Sequence, residues 1–516
     1  MLGVAAAVSL LAACSSSATA ARNAAPASAT RPPPAARTHA PSAAVSVLTD
    51  TAAGDLTARF AQALFASAPV VVVAGTSGGA LPAPAAVAAA RAAHAPLLLA
   101  ARVTASGTTG SGSTGQLAAQ VRAFHPAAVL TAGLSPGQTR DLTARLRGVR
   151  VTGRVAELPP AGAPAPLSQV AVLVSSTGTG TGTGARAVQT AVTATAKAAG
   201  ATVIGMSGTD PRTNPKAIAE LARLRPETVV AVGTAFGPVA RLASRLAVAE
   251  TGRQLPGGGQ VLFPGRRLVA LYGHPGTPGL GVLGQQDLAA GIARARTTAA
   301  AYQPLSTVPV VPAFEIIATV AEASPGPDGS YSYETPVADL LPWVRRATAA
   351  GLYVVLDLQP GRAGLLAQAE HYQSLLELPD VGLALDPEWK LQPGQKPLRQ
   401  IGHVDIGEVN GVIGWLAALT DRYHLPQKLL VLHQFQLSML AGEQHLDTGR
   451  DDLSIVIHMD GQGTPALKQD TWNAVTAAAP PGVFFGWKNF LVKDHPMLTP
   501  GQTMTKTPAP VMISYQ

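Results

Sequence analysis

Cysteine is all but missing: Cys14 is the only one in 516 residues. No disulfide can close within the chain, and no cluster of thiolates can hold a metal. Charged residues make up only 13% of the total and aromatics 4%. The formal net charge of +8 is modest for this length, and its Lys and Arg are scattered. No basic stripe with interleaved aromatics is present, which argues against nucleic acid as a partner. Weak attraction to anionic wall polymers is compatible with the charge. Zinc-type His-x-His and His-Glu-x-x-His spacings are absent, as is the nucleophilic-serine pattern Gly-x-Ser-x-Gly in the C-terminal half. The loop from Val174 to Arg186 alternates Thr and Gly but lacks the Gly-Lys-Ser/Thr ending of a phosphate cradle. No metal and no cofactor is expected.

What is present begins with an apolar run from Leu2 to Ala13, shorter than the roughly 20 residues of a membrane-spanning helix. Its length and small-residue finish suit a secretory leader, although no Lys or Arg precedes it. The finish Leu11-Ala12-Ala13-Cys14 resembles the lipobox of bacterial lipoproteins. That resemblance implies lipidation of Cys14 and a chain anchored to the cell membrane on its extracytoplasmic face. Residues 15–43 are rich in Ser, Ala, Pro and Thr, with Arg31-Pro-Pro-Pro34, and read as a disordered tether.

Residues 44–157 and 168–263 repeat strand, Gly-rich turn and helix on either side of a Pro/Ala linker. Buried-strand runs fall at 69–74, 96–100, 128–132, 169–174, 201–206 and 228–232, with helices between them. This predicts parallel, Rossmann-like α/β layers. The stretches Ala68-Pro-Val-Val-Val-Val-Ala-Gly-Thr-Ser-Gly-Gly-Ala-Leu81, Ala92-Ala-His-Ala-Pro-Leu-Leu-Leu99 and His125-Pro-Ala-Ala-Val-Leu-Thr-Ala-Gly133 resemble the cell-wall-binding repeat 2 family of Gram-positive surface proteins. Met206-Ser-Gly-Thr-Asp-Pro-Arg-Thr213 echoes the family's Ser-Gly-x-Asp-Arg opening. The family's Phe-Pro-Asp-Ala-Leu is here Gly78-Gly79-Ala80-Leu81, without the Asp. The resemblance implies a cell-wall glycan or polymer as partner.

From 266 to 516 the texture changes to more His, Asp, Glu and aromatics. Eight short apolar runs recur at 268–273, 308–313, 352–356, 381–385, 429–432, 453–457, 483–485 and 511–514, with helical stretches between most of them. About 250 residues in this rhythm predict a (β/α)8 TIM-type barrel, whose functional groups follow the C-terminal ends of the strands. Those positions hold His274, Glu315, Asp357, Asp386, Glu388, Trp389, His433, His458, Asp460, Trp487 and Lys488. On the fourth strand, period-two alternation puts Gly382, Ala384, Asp386 and Glu388 on one face. Two carboxylates so close do not ionise freely together, which raises a pKa as a general acid requires.

Gly382-Leu-Ala-Leu-Asp-Pro-Glu-Trp389 resembles the Asp-x-Glu strand end of chitinase-like hydrolases and Chalaropsis-type muramidases. The chitinase pattern has a further Asp where Ala384 stands, and Pro387 is unusual between the pair. The resemblance implies Glu388 as general acid, with Asp386 orienting the substrate's N-acetyl group or stabilising charge. Asp357 is the remaining catalytic candidate. Glu315, Trp389, His274, His433, His458, Asp460, Trp487 and Lys488 are candidates for binding substrate. The expected function is a surface lipoprotein that binds the envelope and binds or hydrolyses an envelope polysaccharide. The alternatives are a non-catalytic wall-binding scaffold, in which Arg362, Lys390 or Lys488 neutralises the acidic pair, and a periplasmic-binding-type receptor built from residues 45–262.

Overall fold

A computed structural model describes residues 32–50, 52–76, 81–100, 114–177 and 183–516. Cys14, the Gly78–Ala80 departure and the centre of the Thr-Gly loop lie outside the described residues. Among the described residues, no helix is long and apolar enough to cross a membrane.

The N-terminal region holds two four-stranded parallel sheets. One runs Leu97–Ala100, Val70–Gly75, Ala128–Ala132, Arg150–Thr152 in spatial order. The other runs Val45–Leu48, Thr228–Val232, Val170–Ser175, Thr202–Met206. The strand at 45–48 thus joins the sheet made mostly by the later residues. Its helix Ala53–Leu64 then crosses back, and Phe60 and Leu64 share one apolar core with Val71, Val73, Val188 and Val192. Residues 35–38 are ordered too: Ala35 bridges to Gly162, and Arg37–Thr38 pairs with Phe65–Ser67. The two sheets meet through packed apolar helices, and a cavity of about 330 Å³ lined by Arg91, Gln189, Thr190, Thr193 and Lys197 opens at their junction.

The C-terminal part is a closed barrel of eight parallel strands: β1 (Arg267–Gly273), β2 (Val310–Ala321), β3 (Tyr353–Leu358), β4 (Val381–Leu385), β5 (Lys428–His433), β6 (Leu453–Met459), β7 (Phe484–Asn489) and β8 (Met512–Tyr515). Pairing of β8 with β1 closes it. All eight expected runs became strands. Alternation sorts each strand. Val381, Leu383 and Leu385 face the outer helices with Val269, Leu271, Leu430 and Leu432, while Ala384 lies inside with Ala270, Ala313, Val355, Val431 and Val456.

Small residues inside make room for large ones. A Cβ on Gly382 would meet the Leu429 carbonyl oxygen at 2.7 Å and the Tyr353 hydroxyl at 3.0 Å. That hydroxyl accepts from the Leu429 amide at 3.2 Å, so a phenol ring fills the space that β4 leaves.

The N-terminal region docks on the opposite end from the mouth. Leu255, Leu262 and Phe263 plug the barrel floor beside Leu268 and Val311. Arg212, almost fully buried, and Arg245 both pair with Asp451 ahead of β6, at 2.8 and 2.7 Å. The mouth is left clear. Gly382→Ala should lower stability by about 1–3 kcal/mol through overpacking, measured as a drop in Tm. An unchanged Tm would mean that the floor is not packed this tightly.

Candidate active site

Inward parity continues past the apolar layers and selects the polar ones. On β1 it runs Leu268, Ala270, Tyr272; on β3, Tyr353, Val355, Asp357, Gln359; on β5, Leu429, Val431, His433, Phe435. Two polar tiers result. The lower holds Glu315, Asp357, His433, His458 and Ser514, all inaccessible to solvent. The upper includes Asp386, Glu388, Asp460 and Lys488, which line a cavity of about 200 Å³ together with Tyr272 and Gln359.

His433 organises the lower tier. Its Nε2 lies 3.0 Å from Glu315 Oε1 and its Nδ1 3.0 Å from Asp460 Oδ2. Burial opposes charging the ring, but the two carboxylates outweigh it and hold the imidazolium well above its ordinary pKa. Asp357 lies above the same ring nitrogen at 3.8 Å and accepts a 2.8 Å hydrogen bond from Tyr272. Burial pushes Asp357 up to about 6, with His433 pulling the other way. Burial and the charge of Asp357 keep Tyr272 a phenol, and the Lys488 ammonium sits 3.6 Å from the centre of its ring. His458 stays neutral because burial and the neighbouring His433 charge both lower its pKa. Its Nε2 shares a 2.7 Å hydrogen bond with Ser514 Oγ.

In the upper tier the acids diverge. Burial, then repulsion from Asp460, pushes Glu388 up to about 7. Burial, then Glu388, lifts Asp386 well above the carboxylate range. For Asp460 burial raises the pKa, but the hydrogen bond and charge of His433 overcome it and leave the group below its ordinary value. Among the described residues, Glu315 Oε2, Asp357 Oδ1, Asp386 Oδ1 and Asp460 Oδ1 are buried without a hydrogen-bond partner, which leaves hydrogen-bonding capacity for a ligand or water.

Asp386 and Glu388 do meet, though not by strand alternation. β4 ends at Leu385, and Pro387–Trp389 forms a tight helical turn that brings Glu388 round to the mouth. Two of the three expected neutralising partners are occupied elsewhere, while Lys488 lines the cavity and its charge pulls Glu388 down against burial. Lys390 pairs with Glu408 at 2.7 Å, and Arg362 stacks on Tyr331.

No family model, curated protein or solved structure matches the chain. The site therefore rests on its own geometry. Among the described residues, no group of three or more His, Cys, Asp or Glu side chains is placed to hold a metal ion. His274 stands apart, its nitrogens on Thr277 and Thr335. Trp487 has outward parity and is fully buried against Trp472, so its face is closed to a ligand. Trp389 does line the cavity, with a buried indole nitrogen lacking a partner. Tyr272 and Gln359, at strand ends with no role assigned to them from the sequence, line it as well, as do Phe490 and Lys493, which no strand-end position marks. Inward parity alone would have found the first two.

Glu388 binds its proton more tightly in the fold, at about 7, than at its ordinary value of 4.5. The folded state carries the extra proton between those values, so this group's stabilisation falls as pH rises through that window. Glu388→Gln should match the native protein near pH 4. At pH 8 it should be more stable by roughly 1 kcal/mol, allowing for screening through the open cavity. Thermal melts at the two pH values check this. An equal offset at both would overturn the burial account.

Proposed function

We propose that the barrel hydrolyses a β-linked, N-acetylated or related envelope polysaccharide, and that the chain is a lipoprotein anchored through Cys14 with a wall-binding-like N-terminal region. The observation that carries the catalytic part is a single cavity with two carboxyls whose proton affinities are driven apart. Such a divergence separates an acid from a base or nucleophile.

Glu388, protonated up to about pH 7, donates its proton to the departing glycosidic oxygen. Asp460, kept ionised by His433, faces the sugar carbon as nucleophile, base or stabilising charge. Asp386 retains a proton and hydrogen-bonds the substrate, as the strand-end resemblance to chitinase-like hydrolases implies for the N-acetyl group. Trp389 offers a ring edge or face to the sugar's C–H groups. Asp357, beneath Tyr272, acts through the hydrogen bonds of the lower tier rather than on the sugar. Among the described residues no ion pair forms on Asp386 or Glu388, and the Lys488 charge does not overcome the burial of Glu388, which favours this reading over a neutralised scaffold. The shared apolar core of the two N-terminal sheets weighs against a two-lobed receptor.

Glu388→Gln should lower release of soluble fragments from a purified β-linked N-acetylated wall polysaccharide by about a hundredfold or more while leaving the fold intact. The rate of the native enzyme should fall as pH rises past about 7, where Glu388 loses its proton. Activity that survives the substitution sinks the assignment. Separately, Cys14→Ser should move the protein out of the lipid-modified membrane fraction, and continued incorporation of labelled fatty acid would exclude Cys14 as the anchor.

A further inference from the structure

Six of the nine large hydrophobic side chains exposed on the barrel stand on the segments after β4 to β7: Leu398, Ile401, Leu437, Leu491 and Val492 on loops, and Leu467 in the first turn of the helix Pro465–Ala478. The other three are Leu305, Tyr333 and Tyr423. Leu398 is 83% exposed and Val492 78%, far beyond what packing on their own loops requires. These loops converge. Trp389, Phe435, Gln462 and Lys493, one from each, line the same 200 Å³ cavity. An apolar crown around a cavity is the composition of a docking face rather than of ordinary surface.

Cations lead among the charges of these tips, although the carboxylates of Asp405 and Asp470 are exposed as well. Lys396, Arg399 and Lys493 are exposed, whereas Asp386, Asp460 and Asp494 are buried. Asp405 caps a helix through the Gly407 amide, and Asp447 pairs with Arg450. Apolar tips ringed by free cations complement an anionic lipid surface, where the tips enter the headgroup layer and the cations meet phosphates. A second cavity of about 330 Å³ shares Glu388 and Trp389 with the first and is walled by Leu398 and Ile401, with Arg399 beside it. It leads from the carboxyls towards the apolar tips.

We propose that the loop crown is a membrane-docking face that sets Leu398, Leu491 and Val492 among anionic phospholipid headgroups, and that the cavities take the sugar head of a lipid-linked glycan. The second half rests on the mouth being a glycan site; the first does not. A mouth pressed to the bilayer reaches only sugars held at its surface. The glycan enters the first cavity, its anionic linker passes Arg399, and its apolar tail runs beside Leu398 into the lipid.

The full chain carrying Cys14→Ser offers a thiol-free background. An environment-sensitive fluorophore on Val492→Cys should brighten and shift to the blue with phosphatidylglycerol vesicles and respond much less to phosphatidylcholine. The same label on Leu305→Cys, at the far end of the barrel, should not change. No response at 492, an equal response at 305, or an equal response to both lipids overturns the docking face. A change that follows protein concentration without vesicles assigns the crown to a second copy and overturns it as well. Leu491→Asp with Val492→Asp, both away from the two cavities, should weaken vesicle binding by at least about tenfold. The double variant should lose lipid-linked glycan turnover in vesicles to a similar extent and keep activity on soluble oligosaccharide. Loss of both activities with Glu388→Gln but neither with the double variant would sustain hydrolysis and overturn the lipid-linked substrate.

Discussion

One buried imidazolium holds the mouth of this barrel together. His433 has no contact with solvent and bonds Glu315 and Asp460 at 3.0 Å each. Its charge lets carboxylates exist at the top of an apolar barrel, where burial alone would force them neutral. The same charge lowers Asp460, tempers Asp357 and drives His458 to the neutral form. Glu388 and Asp386, farther from that relief and facing other carboxylates, keep their protons. The proposed division of labour between acid and base descends from where one ring sits.

The barrel can carry this cluster because its lower half is built to be small and dry. Gly382 makes way for Tyr353, and Gly486 for His458, whose Nδ1 occupies the place a Cβ would take. Leu262 and Phe263 seal the floor, and the Arg212–Asp451–Arg245 pairs bind the N-terminal region beneath it. With that end covered, the mouth is the barrel's free face. Its loops combine a polar cavity, a second apolar-walled cavity and a basic apolar rim.

Much of this was legible in the residues. The eight apolar runs and the six N-terminal ones have the length and near-continuous apolar character of buried parallel strands, and each became a strand. The strand-end residues Asp357, Asp386, His433 and Asp460 came together because the barrel gathers that end of every strand. The misplacements are local and physical. Trp487 follows an apolar run as a mouth residue would, but its parity turns it towards the outer helices. Period-two alternation extends the strand to Glu388, but Pro387, with its fixed φ, starts a turn at once. The strand at 45–48 pairs with residues 228–232, far along the chain, and period-two patterning carries no signal for such a partner.

By itself the sequence determined the α/β class, the eight-strand rhythm and the chemical inventory of the mouth, because period-two burial is written into neighbouring residues. Only the tertiary structure decided which acid holds a proton. That depends on distances between strands far apart in the chain, such as Glu315 to His433 and His433 to Asp460. It also decided that the scattered leucines of four separate loops share one rim. Closure of β8 on β1 brings those loops into one circle, and no pairwise spacing along the chain encodes a circle.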